Sequence, residues 1–309
     1  MRYYVKDNTL VIKGDFDGIS TGVNGGRRRV RSVINHEVGR DFSRHDHAEY
    51  LDQIAATVGA ESPYFGFMTA VQMKNLCLVR DPYVTVFITA GISNPSHDPG
   101  VPGTINILLV VHGRMTEGAL ASAIIIATEA KAKVLFEMGF DFTGTTTDAV
   151  AVLTEIRQTG MEVPLYEYSG TTTLVGQSIY RCVKKGVAEA IKRQHLLADG
   201  GSVKSRTFVL AEKDGGHYWI GHPAEKTGPC PYYPCHFPGQ DCTHCFCPIY
   251  PCEDPELGEW IKTDKGAVWG CKDCILLHRR EAVEYLAKHP EADIKEIRAV
   301  LRQKAKGEQ

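Results

Sequence analysis

Eight of the ten cysteines fall between Cys230 and Cys274, and only Cys77 and Cys182 precede them. The cluster contains a repeat. Cys230-Pro-Tyr-Tyr-Pro-Cys235 and Cys247-Pro-Ile-Tyr-Pro-Cys252 are two copies of C-P-x-Y-P-C, and Cys242/Cys245 and Cys271/Cys274 are two C-x-x-C pairs. Two thiolates at that spacing chelate one ion from a tight turn, and two such pairs complete a tetrahedron. The economical arrangement is two zinc ions with four cysteines each. One ion would use the paired C-x-x-C turns and the other the two C-P-x-Y-P-C loops, with His236, His244 and His278 available as substitutes at either. Disulfides, which a thermophile's cytosol permits, and an iron–sulfur cluster are the competing readings. All eight thiols being used leaves no open coordination position. The module is therefore expected to be structural, a staple for a segment with few apolar residues.

A second set of residues could do acid–base work. Glu129 is spaced with Ile125, Ile126, Ala132 and Phe136 on an apolar helical stripe, where desolvation would raise a carboxyl toward general-acid or general-base duty. The alternative is a surface pair with Lys133 at i, i+4. Asp148 follows Thr145-Thr146-Thr147; it either positions water or a substrate amide, or closes a hydrogen-bonded turn. Asn94 and Asn106 flank Gly103-Thr104, where side-chain amides could pair with substrate amides. His36, after Asn35, is either a base or a satisfied core histidine. Arg27 to Arg31 is either a solvated strand face or a clamp for an anionic or amide-rich ligand.

The elements that must carry these groups centre on residues 89–148. Ile105–Val111 is too uniformly apolar to leave one face in water. Thr116 is positioned as an N-cap with Glu117 in the first turn. The helix from Glu117 to about Met138 has no polar residue except Ser122 between Gly118 and Ala127, which predicts a helix buried all round. Polar loops flank this unit, a setting that presents chemistry at an edge. Residues 2–6 and 9–13 form a hairpin around Asp7-Asn8, Asp46–Val58 is a short amphipathic helix, and Gly66–Val71, Leu76–Val79, Tyr83–Thr89 and Ala149–Leu153 are strands. Thr171 to about Leu197 is a long helix, and Asp199-Gly200-Gly201-Ser202 is a hinge. Beyond it come a hairpin (207–211 with 217–220), the cysteine module, and two charged helices broken at His289-Pro290. The expectation is an α/β mixed-sheet sandwich domain over residues 1–198, followed by a small cysteine-rich zinc-binding domain with C-terminal helices over 199–309.

Several classes are disfavoured. A formal net charge of −2 gives no electrostatic case for nucleic acid or an anionic membrane. No apolar run approaches the roughly 18 residues of a membrane span, and MRYYVKDNTL lacks the apolar core of a signal peptide; the expected location is the cytoplasm. There is no H-E-x-x-H, G-x-S-x-G or P-loop, and Gly22-x-x-Gly25-Gly26 lacks dinucleotide spacing. A homo-oligomer is left open.

Taken in order, Gly25-Gly26 with Asn35-His36, Thr89-Ala90-Gly91-Ile92-Ser93-Asn94, Pro102-Gly103-Thr104-Ile105-Asn106-Ile107, Glu117-Gly118-Ala119-Leu120, Ala127-Thr128-Glu129-Ala130-Lys131 and Thr143-Gly144-Thr145-x-Thr147-Asp148 resemble the adenosylcobinamide amidohydrolase family of corrinoid salvage, across roughly residues 15–195. The cysteine module resembles a small domain fused to this enzyme in some archaea. The resemblance implies hydrolysis of the amide joining the corrin ring to its aminopropanol arm, giving adenosylcobyric acid, with cobalt present only as part of the substrate. On that basis Glu129 is expected to act as general base on water, with Lys131 or His36 assisting at the leaving amine and Asp148 as the rival base. Asn35, Ser93, Asn94, Thr104, Asn106, Thr145 and Thr147 are the expected substrate contacts. The competing class is a corrinoid carrier or a zinc-stabilised interaction protein.

Overall fold

The computed structural model describes residues 1–39, 41–92, 103–156, 163–198, 208–213, 216–220, 233–245, 247–263 and 266–307. In chain order the strands and helices are β1 (Arg2–Lys6), β2 (Thr9–Ser20), β3 (Gly26–Glu37), α1 (His47–Val58), β4 (Tyr64–Thr69), β5 (Cys77–Arg80), β6 (Val84–Gly91), β7 (Thr104–Val111), β8 (Arg114–Met115) and α2 (Glu117–Glu137). They continue with β9 (Ala149–Glu155), β10 (Leu165–Tyr166), α3 (Leu174–Ala198), β11 (Phe208–Lys213), β12 (Gly216–Ile220), β13 (Glu259–Thr263), β14 (Gly266–Gly270), α4 (Arg280–Lys288) and α5 (Ile294–Gly307).

One mixed sheet runs β12-β11-β5-β6-β7-β9-β2-β3-β4, and β1 pairs with β2 beside β9. β7 and β9 are parallel, and the crossover that parallel strands require is α2. The sheet buries both faces, as the apolar β7 demands. Ile105, Ile107, Leu109 and Val111 pack beneath α2 and α3. Leu108 and Val110 face the other way, onto Leu10, Phe65, Phe67 and Phe87, because the β2–β3–β4 end of the sheet curls back over its centre. Val23, at the tip of the β2–β3 hairpin, bridges to Gly66 of β4. At Gly22 only glycine fits, since a Cβ there would lie 2.5 Å from the Gly66 carbonyl oxygen. The arginine run lies on β3 as a solvated strand face, with Arg27 paired to Asp17 and Arg31 to Asp15.

The hairpin expected after the hinge is present as β11–β12. It extends this same sheet, β11 lying parallel to β5. The cysteine-rich segment and its helices build a separate small core of Leu276, Leu277, Ala282, Leu286, Ala292 and Ile297. That module docks on the sheet: Tyr3 N–H donates to the Pro248 carbonyl at 3.1 Å, Arg2 reaches the carbonyls of Pro290 and Ala292, and Cys242 and Cys245 pack on the Phe87 core.

α2 differs from its expected burial. Thr116 caps it as predicted, accepting from Ala119 N–H at 3.1 Å. Ala119, Ala123, Ala127 and Ala130 face inward, but Ile125 is 57% and Phe136 51% exposed. α2 packs on the sheet below and α3 beside it; the remaining face has no neighbour among the described residues. Among those residues no helix is long and apolar enough to cross a membrane.

Candidate functional site

Because α2 runs back against β7, its fourth and fifth turns lie above the start of β9, the level of Asp148. Lys131, buried on the inner stripe of α2, donates to Asp148 Oδ2 at 2.5 Å. Oδ2 also accepts from Thr145 N–H at 3.0 Å, while Oδ1 accepts from Ile105 N–H at 2.8 Å and from the Thr145 hydroxyl. A carboxylate offers about four lone-pair directions, and here all are taken. Asp148 thereby ties α2, the 143–147 loop and the first turn of β7 into one knot. The Thr104 and Thr147 hydroxyls bond each other at 2.7 Å, and Thr147 also donates to the Gly103 carbonyl. Thr147 is exposed, and Thr104 and Thr145 are half-buried.

Gly144 passes so close to the ion pair that an added Cβ would sit 2.5 Å from both Asp148 Oδ2 and Lys131 Nζ. Gly144→Ala is therefore expected to cost about 1–3 kcal/mol by overpacking. Urea denaturation measures it, and an unchanged midpoint would mean that the loop yields freely.

A second polar assembly lies on the opposite face of the same strands. Asn106 Nδ2 donates to Asn35 Oδ1 at 3.0 Å and to the Met68 carbonyl at 2.9 Å; Asn35 Nδ2 donates to Thr89 Oγ1 at 3.0 Å. All three side chains are buried. This ladder clamps curled β3–β4 onto β6–β7, so Asn35 and Asn106 spend their amides on each other rather than presenting them to a ligand. Sequence reasoning missed Thr89, whose signal was one of two hydroxyls, with Thr85, in an otherwise apolar buried strand.

Two expectations for acid–base residues need correction. Glu129 is exposed, because the buried stripe of α2 runs through Ala123, Ala127, Ala130 and Lys131, and position 129 points away from it; the expected burial is absent. Its pairing with Lys133 is also absent among the described residues, where Lys133 lies 3.8 Å from Glu137. His36 faces α1, away from Asn35, with Nδ1 2.7 Å from the Thr9 hydroxyl and Nε2 2.9 Å from Tyr50 OH. It is the satisfied core histidine of the two alternatives. Burial lowers its pKa, so the folded chain holds fewer protons there than the unfolded chain. The associated stability is full above the ordinary histidine value of about 6.5 and is lost as pH falls toward the lowered folded value. His36→Gln is expected to flatten that part of the stability–pH curve; an unaltered slope in denaturation below pH 6.5 would refute it. Ser93 and Asn94 lie outside the described residues.

In the cysteine module the C-x-x-C turns are formed, with Cys245 N–H donating to the Cys242 carbonyl and Cys274 N–H to the Cys271 carbonyl, both at 3.1 Å. Both C-P-x-Y-P-C repeats carry a cis Tyr–Pro bond. Gln240, fully buried, donates its Nε2 to Cys235 Sγ at 3.2 Å and Cys242 Sγ at 3.3 Å, and its Oε1 accepts from His236 N–H. Cys247, Cys252, Cys271 and Cys274 lie within one another's electrostatic reach; burial, reinforced by these neighbours, pushes the Cys247 thiol up to about 12. The C-x-x-C turn of Cys242 and Cys245 packs on the Phe87 core, whereas Cys274 shares the small core with Cys247. His278 is buried with Nδ1 2.8 Å from the Asp241 carbonyl, His236 stacks on it at 4.7 Å, and burial lowers His244 to about 4. Cys230 lies outside the described residues. Among those residues no three His, Cys, Asp or Glu side chains stand close enough together to hold an ion. The donor set, sulfur with an amide aimed at two thiols, is of the chemistry that soft and borderline metal ions take.

A mixed α/β sheet with polar knots at its strand ends, joined to a cysteine-rich module, defines the class of protein. The adenosylcobinamide amidohydrolase family profile matches residues 2–199, and a cysteine-rich small domain profile matches 223–301. An adenosylcobinamide amidohydrolase of Methanosarcina mazei is 44% identical over 199 residues, 62% of this chain and 98% of that protein. Another from Halobacterium salinarum is 31% identical, over 56% of this chain and 79% of its own. A Methanothermobacter thermautotrophicus protein named as a probable cobalt-factor III C(17)-methyltransferase is 52% identical over 92 residues, 29% of this chain and 26% of its own. The chain belongs to the adenosylcobinamide amidohydrolase family; it is a hydrolase acting on an amide.

Proposed function

We propose that this chain hydrolyses the amide between the corrin ring's side arm and aminopropanol in adenosylcobinamide. Water adds its hydroxyl to the carbonyl carbon, the C–N bond breaks, and the amine leaves with a proton, giving adenosylcobyric acid and aminopropanol or its phosphate. The observation that carries this reading is the family match over residues 2–199. The strand end built by the Lys131–Asp148 knot supports the placement. The Thr104, Thr145 and Thr147 hydroxyls beside it suit the peripheral amides of a corrin. Lys131 Nζ has N–H directions beyond its bond to Asp148, suited to an oxyanion developing on the carbonyl. With Glu129 exposed, His36 doubly bonded and Asp148 saturated, we assign Asp148 a positioning role and His36 a scaffolding role. Cobalt enters as part of the substrate. In the module, zinc held by the cysteines would supply cross-linking between thiolates rather than a reactive centre, and the reading places the protein in the cytoplasm.

The test is incubation of the purified chain with adenosylcobinamide, without added metal, followed by chromatography of the corrinoids. Appearance of adenosylcobyric acid is expected. Substrate that binds tightly and returns unchanged from folded protein would refute the hydrolysis and leave a carrier.

A further inference from the structure

We propose that Glu37 is the catalytic carboxylate of the amide hydrolysis, taking a proton from the attacking water and returning it to the departing amine. The inference rests on the reaction proposed above and deepens it by naming the base that the reaction still lacks.

The placement follows from strand alternation. Successive side chains of a strand point to opposite faces, so Val33, Asn35 and Glu37 share one face of β3, whose pairing with β4 runs unbroken from Ser32–Tyr64 to Glu37–Thr69. Across the curl of the sheet, β6 and β7 set Phe87 opposite Leu108, Thr89 opposite Asn106, and Gly91 opposite Thr104. The first two rungs are matched by β3. Val33 shares a core with Phe87 and Leu108, and Asn35 bonds Thr89 and Asn106. At the third rung the same face of β3 carries Glu37, on the side of Gly91 and Thr104. The direction is fixed independently. The chain leaving β4, parallel to β3, brings Val71 against Gly91, where an added Cβ would lie 2.6 Å from Val71 Cγ2.

The rungs differ in access. Val33, Phe87 and Leu108 are buried, as are Asn35, Thr89 and Asn106, whereas Glu37 and Thr104 are half-buried. The stack therefore opens at its third rung, with a carboxylate at the opening. This opening borders the Lys131–Asp148 knot, because Thr104 bonds Thr147 and the next residue, Ile105, gives its N–H to Asp148. Glu37 Oε2 accepts the Met73 N–H at 2.7 Å, the one hydrogen bond to this carboxylate among the described residues. Asp148 has its acceptor directions filled; Glu37 keeps Oε1 for the O–H of a water.

The step balances without a further reactant. The water oxygen bonds to the carbonyl carbon as Glu37 takes one of its protons. The C–N bond then breaks with its electron pair going to nitrogen, and nitrogen receives that proton from Glu37. A carboxylic acid and a free amine result, and the carboxylate is restored.

Glu37→Gln is the test, because it keeps an oxygen for the Met73 N–H and removes the basicity. The chain is expected to keep its stability and bind adenosylcobinamide as before, while kcat falls ~10²–10⁴-fold. The acid-side fall of kcat/KM, which reports the base of the free enzyme, should vanish from the residual activity. Glu37→Ala supplies a second measurement: added formate should restore part of its turnover by standing in for the missing carboxylate. Turnover by the Glu37→Gln chain at the wild-type rate would overturn the assignment, leaving Glu37 as a brace for the turn at Met73 and the hydrolysis intact. Residual activity with the wild-type pH profile, together with a Glu37→Ala chain unresponsive to formate, would overturn it equally. A wild-type chain that binds adenosylcobinamide and never converts it would overturn the hydrolysis itself, and the base with it.

Discussion

Asp148→Asn is expected to destabilise the chain by about 3–5 kcal/mol, the cost of leaving a buried charge without its partner, and to lower adenosylcobinamide turnover at least ~100-fold. The substitution preserves shape but strands the Lys131 ammonium, whose side chain is 8% exposed against 11% for Asp148. It also turns an NH2 group toward donors that now share one carboxylate: Ile105 N–H, Thr145 N–H and the Thr145 hydroxyl. The knot would loosen the 143–147 loop and the entry to β7 together, and displacements near 1 Å in positioning groups are enough for a loss of that size. Lys131→Met removes the other partner, and the double variant should cost less than the sum of the singles because the two act on one interaction. Chemical denaturation and single-turnover kinetics measure these effects. An Asp148→Asn chain with unchanged stability and no activity would make Asp148 the base on water rather than the residue that positions the loop.

Stripping the zinc proposed for the module from the full chain should lower the stability of the sheet as well as the module, by roughly 2–4 kcal/mol for the sheet, the scale of uncovering one or two large apolar side chains. Cys242 and Cys245 pack on the core that contains Phe87, Leu78 and Leu10. Tyr3, edge-on to Phe87 at 5.1 Å, is also held through its backbone by Pro248. Arg80 lies over the Tyr250 ring at 5.7 Å. A disordered module would withdraw all three contacts. Hydrogen exchange locates the effect: the Tyr3 amide and its β1 neighbours should exchange faster after chelation, while α2 and the Lys131 region keep their protection. Unchanged exchange in β1 would show that the module rides on the sheet without supporting it.

Much of this architecture was legible in the residue order, for identifiable reasons. Ile105–Val111 could only be a strand covered on both faces, the Thr116 cap placed the start of α2, and Asp7-Asn8 marked the first hairpin. Eight cysteines in repeated spacings declared a stapled module, because thiol spacing is a local property that survives without any knowledge of the fold. The motif series pointed to the amidohydrolase family in the same way. What the order could not decide was which side of each element meets what. α2 is apolar nearly all round, so its pattern has no preferred face. Only the packing of α3 on one flank chose Lys131 for the interior and left Glu129 with Ile125 and Phe136 in water.

The amide ladder was hidden for a related reason. Asn35, Thr89 and Asn106 are distant in sequence and meet only because the sheet curls. Likewise, the cysteines that share a core were not legible from motif type: Cys242 and Cys245 lie against the Phe87 core, and Cys247 and Cys274 against the small one. Sequence alone determined the central strands, the Thr116 cap, the cysteine-rich module and the family, but not that β2 runs on through residues 14–20, a stretch whose glycines and serine read as a loop. The tertiary structure decided which polar groups are consumed by one another and which are left for chemistry, because hydrogen-bond partners are assigned by packing rather than by chain order.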